Sequence, residues 1–248
     1  METFVAFATP APSGTVPANL VTVAVNLRDA GPYLVECLAS IAAQTHADLE
    51  LVVVDDGSRD NSAALARDWL ETNHARFAGV FLLRHAEPQG PHAARNAAFA
   101  RARADCVFVL DASDMLYPRA IGRLLEPLRA TGAGAAYSQL ELFGDVRGLG
   151  DADTWERELF ARGSYVDAMA LVSKAAWQKV GGYDAIEAGW EAYGFWCKFV
   201  ENGIEGLFVP EILGRKRRHP SLSAKGLHRP DQPALVQTLT ARHPWIAL

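Results

Sequence analysis

The sequence predicts an α/β fold, a mostly parallel sheet flanked by helices, and three observations carry that prediction. Four short apolar runs, Val21–Val25, Leu49–Val54, Val80–Leu83 and Cys106–Leu110, are rich in β-branched or aromatic residues and too short for helices, so each reads as a buried strand. Helical patterns lie between them, and strands alternating with helices make βαβ units and a parallel sheet. Two acidic clusters, Asp55-Asp56-Gly57-Ser58 and Asp111-Ala112-Ser113-Asp114, directly follow the second and fourth runs. Open parallel sheets bind ligands beyond those carboxyl ends.

The elements follow in order. Leu34, Leu38, Ile41 and Ala42 fall at helical spacing behind Pro32, which suits a first helical turn. Ala63–Leu70 is helical by propensity, with Asp60 or Ser62 available as a cap. The Ala- and Arg-rich stretch Ala93–Ala104 is a further helix. Pro118–Arg129 reads as a helix and Ala135–Phe143 as a strand. After a turn-rich stretch, Asp167–Val172 is expected to be a strand and Ser173–Val180 a helix. Gly181 and Gly182 break the chain before a helix over Trp190–Asn202, and Gly206–Val209 is a short strand ended by Pro210. The final two dozen residues, rich in Pro, His and Arg, are expected to form a loosely attached tail. One domain is expected over residues 20–224, with an N-terminal extension at 1–19 and the tail at 225–248.

Composition narrows the function. Half of the 248 residues are apolar and the charges nearly balance, 24 Lys plus Arg against 29 Asp plus Glu, so disorder is excluded as the main state. The net charge of −5 provides no global basic field, and nucleic acid is not an expected partner. Cys37, Cys106 and Cys197 lie far apart without zinc-ligand spacing and are expected to be reduced, buried thiols. Met1–Leu20 has Glu2 where a signal peptide has a basic residue, and its apolar stretch is broken by Pro10, Pro12 and Pro17. No run of about 18 apolar residues is present, so no spanning helix is expected. These features predict a cytoplasmic protein with at most peripheral contact at the inner membrane face. Neither a G-x-x-x-x-G-K loop nor a G-x-G-x-x-G turn occurs, which leaves ATPase and dehydrogenase readings without support.

Carboxylates at strand ends suit a base or ribose, or a divalent cation held against phosphates. Taken singly, either cluster is equally a turn former or helix cap. The order of motifs is more specific. Val21 to Asn26, then Tyr33-Leu34, Glu36-Cys37-Leu38, Ser40-Ile41 and Ala43-Gln44-Thr45, resemble the opening of family 2 glycosyltransferases of the Rossmann-like GT-A fold. Leu51 to Asp60, Gln89-Gly90-Pro91, Ala93 to Asn96, and Leu110 to Asp114 with Leu116 and Pro118 follow in that family's order. Gly181-Gly182-Tyr183-Asp184, Gly189-Trp190-Glu191, Tyr193, Phe195-Trp196 and Arg218-His219-Pro220-Ser221 complete it, so the resemblance spans about residues 20–224.

The resemblance implies transfer of a sugar from a nucleotide diphosphate donor, of UDP, GDP or dTDP type, to a glycan or glycolipid hydroxyl with inversion. It implies that Asp55 accepts from the nucleobase ring N–H, that Asn26 lies near base and ribose, and that Arg95 helps to fix the nucleotide. Asp111 opens the D-x-D element, which meets the ribose and a Mg²⁺ or Mn²⁺ ion, and His219 is the late histidine that approaches diphosphate or metal. The metal set so implied is Asp111, Ser113 and His219. Two positions depart from the family. Ser113 replaces the usual metal-binding carboxylate, and a neutral hydroxyl is a poorer partner for a hard dication. Aligned on Trp196, the general-base position is Ala192, which cannot take a proton; Glu191 and Glu187 are the candidate replacements, and Glu191 with Asp111 makes the expected catalytic pair. Trp190, Tyr193 and Trp196 present aromatic faces; Trp190 is the expected acceptor contact and Trp196 a core residue. The basic run Arg215 to Arg218 reads either as a solvated loop or as a surface for a diphosphate, an anionic acceptor or a membrane carrying one. A second reading is a relative with impaired catalysis that binds sugar nucleotides or partners.

Overall fold

The computed structural model describes residues 3–9, 15–186, 190–218 and 233–248. Ten strands form one sheet: β1 (Thr3–Ala8), β2 (Val21–Leu27), β3 (Leu49–Asp55), β4 (Gly79–His85), β5 (Cys106–Asp111), β6 (Met115–Leu116), β7 (Ala135–Gly144), β8 (Gly148–Leu149), β9 (Ala170–Ser173) and β10 (Gly206–Arg218). Their spatial order is β1-β4-β3-β2-β5-β9-β7-β10-β6, with β8 paired to β7. The pairs β4–β3, β3–β2, β2–β5 and β7–β10 are parallel, and β9 runs antiparallel between β5 and β7. The helices are α1 (Gly31–Ala42), α2 (Ser62–Asn73), α3 (Pro91–Arg101), α4 (Ala120–Thr131), α5 (Arg157–Arg162), α6 (Lys174–Lys179), α7 (Glu191–Glu201) and α8 (Pro233–Arg242).

The central strands read as continuous apolar runs because both their faces are covered. Val21, Val23 and Val25 of β2 and Leu51 and Val53 of β3 pack with Leu34, Leu38, Leu70, Ile121 and Leu124 of α1, α2 and α4. The alternate residues, Ala24, Val52, Val54, Val107 and Val109, face the opposite core with Ala94, Ala98 and Phe99 of α3 and Phe195, Trp196 and Phe199 of α7. Asp60 Oδ1 accepts at 2.9 Å from the N–H of Ser62, the first residue of α2, so the aspartate serves the helix start as expected. Asn61 is the cap residue; Ser62 Oγ accepts from Ala30 N and Asp60 Oδ2 from Gly31 N, so both side chains tie the start of α1 to that of α2.

Three segments carry more structure than the sequence indicated. Residues 3–8, within the expected N-terminal extension, form a strand paired antiparallel with β4 at the sheet edge. The strand expected to stop at Val209 continues to Arg218, because register shifts between Val209, Ile212 and Gly214 place Pro210 in a bulge, where no ladder donor is required. The end of the chain is not loose over 233–248: Leu239 of α8, His243 and Ile246 are buried, and both His243 Nδ1 (2.7 Å) and Trp245 Nε1 (2.8 Å) meet Glu201 Oε1. Among the described residues no helix is long and apolar enough to cross a membrane. All three cysteines are free and buried, as expected.

Candidate active site

The sheet brings the two acidic clusters together. Asn26 and Asp111 are register partners across β2 and β5, and Leu27 and Asp55 are partners across β2 and β3, so all lie at the carboxyl ends of adjacent parallel strands. Asp111 Oδ1 accepts from Asn26 Nδ2 at 3.4 Å and from Arg95 Nη2 at 3.3 Å. Arg95 Nη1 donates to Glu191 Oε1 at 2.9 Å. Four residues expected at the site, from β2, α3, β5 and α7, thus form one connected network around Arg95, which is only 4% exposed. Burial alone would lower the pKa of Arg95, but the carboxylates of Asp111 and Glu191 outweigh it and keep the guanidinium charged. The Tyr183 ring lies 5.5 Å from the guanidinium carbon. Asn96 explains why Gly182-Tyr183 belongs here: its Oδ1 accepts from Tyr183 N (2.9 Å) and Trp177 Nε1 (3.0 Å), and its Nδ2 donates to Tyr183 O (2.8 Å).

Asp55 is fully buried, with Oδ1 accepting from Ser58 N at 3.0 Å and Oδ2 lying 3.1 Å from Arg84 Nε without a hydrogen-bond partner. Asp56, given no role by the sequence, spends its carboxylate on the following loop: Oδ1 meets His85 Nδ1 and Gln89 N, both at 2.7 Å, and Oδ2 accepts from Gly90 N at 2.8 Å. Burial would raise its pKa, but these donors more than compensate and hold it below the usual value. The adjacency of Asp56 to Asp55 and the Gln89-Gly90 pair were the only sequence signals for it.

The second cluster divides. Asp111 keeps a side chain 36% exposed, whereas Asp114 is buried, accepts from Arg217 N at 2.8 Å, and is pushed up to about 7 by desolvation, with Asp111 and Asp167 adding to the rise and Lys216 opposing it. Ser113 Oγ lies 3.5 Å from Asp114 Oδ1. One oxygen of Asp111 is already shared by Asn26 and Arg95, Ser113 is neutral, and Asp114 is turned toward the backbone. Among the described residues no three His, Cys, Asp or Glu side chains come together to hold a metal ion. Among the described residues, this donor set does not by itself make a protein-built site for a hard dication. His219 and Glu187 lie outside the described residues.

The basic run is a strand, not a solvated loop, and its first three charges are partnered because β10 inserts beside β7. Arg215 Nε meets Glu141 Oε2 at 3.1 Å, Lys216 bonds Asp167, and Arg217 bonds Glu36 and donates to Ser113 O at 3.1 Å. Lys216, Arg218 and Asp167 also line a small, polar cleft with Tyr137, Ser138, Gln139 and Tyr165. Asp167 would be raised by burial, but Lys216 holds its carboxyl below the usual range. Nothing in the sequence singled out Asp167; it is a single acid before an apolar strand. At the head of α7, Trp190 is half-buried with its ring 6.0 Å from Tyr193, while Tyr193 and Trp196 are buried in the core. Ala192 is half-buried, and Glu191, 3% exposed, has Oε2 without a hydrogen-bond partner.

Carboxylates gathered beyond the carboxyl ends of parallel strands lie where open α/β sheets bind their ligands. The profile of glycosyl transferase family 2 matches residues 21–173, more than half of the chain, and the chain belongs to that family. It is 32% identical over 123 residues to an uncharacterized glycosyltransferase, alr2836, of Nostoc sp., covering 49% of this chain and 37% of that protein. It is 37% identical over 101 residues to an undecaprenyl-phosphate 4-deoxy-4-formamido-L-arabinose transferase of Pseudomonas fluorescens, covering 41% and 29%. The chain thus spans only about a third of the length of these relatives. Among solved structures, S. aureus TarS 1-349 in complex with UDP-GlcNAc superposes with a TM-score of 0.72 at 14% identity, covering 90% of this chain and 65% of that one. The mannosyltransferase PcManGT of Pyrobaculum calidifontis, in complex with GDP-Man and Mn²⁺, gives 0.63 at 16% identity, covering 96% and 75%. The fold is GT-A, as expected.

Proposed function

We propose that the chain transfers a sugar, with inversion, from a nucleotide diphosphate donor to a hydroxyl of a glycan or lipid-linked acceptor. The observation that carries this reading is the network Asn26–Asp111–Arg95–Glu191 at the carboxyl ends of β2 and β5. Asp111 is the one carboxylate there with an exposed edge, placed to meet the donor ribose, with Asn26 beside it. Asp55, whose Oδ2 has no hydrogen-bond partner, is assigned to the nucleobase N–H. Arg95 is assigned to holding Asp111, and Glu191 to holding Arg95. Trp190 is the acceptor contact, because Tyr193 and Trp196 are committed to the core. The relative named for undecaprenyl phosphate supports a lipid-linked acceptor and peripheral membrane contact. No step is assigned to Mg²⁺ or Mn²⁺.

Calorimetric titration with UDP, GDP and dTDP tests the donor site. One of the three is expected to bind, and Asp111→Ala to weaken that binding. Equal affinity of the wild type and Asp111→Ala refutes the assignment. The second reading, a nucleotide-binding module with impaired catalysis, is favoured by Ser113 and Ala192. It requires that the wild type bind nucleotide without turnover, and that Ser113→Asp with Ala192→Asp restore turnover.

A further inference from the structure

We propose that Asp167 is the group that takes the acceptor proton, from within the cleft between β7, β10 and the segment 150–169. The inference rests on the glycosyltransferase reading above. Ala192 stands where a base is expected, and Glu191 does not replace it: it is buried, its Oε1 is bound to Arg95, and it does not line the cleft. Asp167 does line the cleft, with its side chain 25% exposed.

Its carboxylate is oriented at both ends. Oδ1 accepts from Met169 N at 3.0 Å, and Oδ2 is ion-paired to Lys216. A carboxylate has about four lone-pair sites, so two of its acceptor positions remain. The cleft adjoins the second acidic cluster, since Lys216 of its lining is followed by Arg217, whose N donates to Asp114 Oδ1 at 2.8 Å. Its lining of Ser138, Gln139, Ser164 and Tyr165 is hydroxyl- and amide-rich, which suits a sugar acceptor. Asp151 also lines the cleft but is exposed, on an irregular stretch of chain.

The step balances as a single displacement. The acceptor oxygen forms a bond to the anomeric carbon, and the bond from that carbon to the diphosphate oxygen breaks, its electron pair leaving with the nucleoside diphosphate. The hydroxyl proton passes to Asp167, which becomes a carboxylic acid and returns it to solvent. Lys216 fixes the carboxylate and is a positioning residue.

The test measures release of UDP, GDP or dTDP from UDP-GlcNAc, GDP-mannose and dTDP-glucose, with water as acceptor, beside calorimetric binding of each nucleoside diphosphate. Asp167→Asn is expected to lower release by about 10²–10⁴-fold with nucleotide affinity unchanged, and Asp167→Glu to recover part of it. Asp167→Asn with Lys216→Met removes both charges together and guards against a folding defect from one unpaired charge; the same loss is expected. Near-wild-type release from Asp167→Asn overturns the proposal, as does a loss confined to Glu191→Gln. A wild type that binds nucleotide but releases none overturns it and leaves the donor site standing. A wild type that binds no nucleotide overturns both.

Discussion

Replacing Arg95 by Met tests the centre of the site. Arg95 meets Glu191 at 2.9 Å with both side chains about 95% buried, and meets Asp111 at 3.3 Å with the aspartate 36% exposed. Breaking a buried pair by removing one partner costs about 3–5 kcal/mol, because the remaining charge is left uncompensated. The Asp111 contact is discounted to less than about 1 kcal/mol, because one partner is solvated. At roughly 2–4 °C per kcal/mol for a chain of this length, Arg95→Met is expected to lower Tm by about 6–20 °C. Glu191→Gln removes the charge that Arg95→Met strands, so the double variant is expected to recover much of the loss. Urea unfolding of the wild type, both single variants and the double variant gives the coupling energy directly. Additive effects of the two substitutions, or a loss below about 1 kcal/mol for Arg95→Met, would refute the reasoning that this pair is buried and mutually dependent.

The remaining predictions concern neighbouring features. Asp114, pushed up to about 7, has a folded pKa above its unfolded value, so its ionisation penalises the folded state at high pH and that penalty is relieved as pH falls from above 7 toward 4. Asp114→Asn is therefore expected to raise the unfolding free energy measured in urea at pH 8 by at most a few kcal/mol, and to have little effect near pH 4; a variant destabilised equally at both values contradicts this. Gly182 has φ +74°, and a Cβ there would lie 2.6 Å from Asn96 Oδ1, so Gly182→Ala is expected to cost about 1–3 kcal/mol by thermal unfolding. Because Ser113 is neutral, Mn²⁺ alone is expected to give no calorimetric signal with the wild type, whereas Ser113→Asp adds a carboxylate and is expected to gain one. Tight Mn²⁺ binding by the wild type would show that the donor set is larger than Asp111.

What was legible in the sequence follows from local physics. The apolar runs of β2, β3, β4 and β5 carry their own signal, since strands buried on both faces must be apolar throughout. Asn26, Asp55 and Asp111 were readable as site residues because they end those strands, and Arg95 because it stands beside Asn96 in an ordered motif. The last strand misled at Pro210, since only its neighbours decide whether a missing N–H falls on a bulge. The same holds for the basic run, which reads as solvated until Glu36, Glu141 and Asp167 are found opposite it.

The sequence by itself determined the sheet, its covering helices and the strand ends where Asn26, Asp55 and Asp111 gather, because periodicity and position along the chain encode these. Only the tertiary structure decided which charges meet. Glu191 lies 96 residues from Arg95, and Lys216 lies 49 from Asp167. Glu191 and Asp167 are both ion-paired, yet one is buried and the other lines a cleft, and that difference depends on which distant side chains cover them. No local pattern records that.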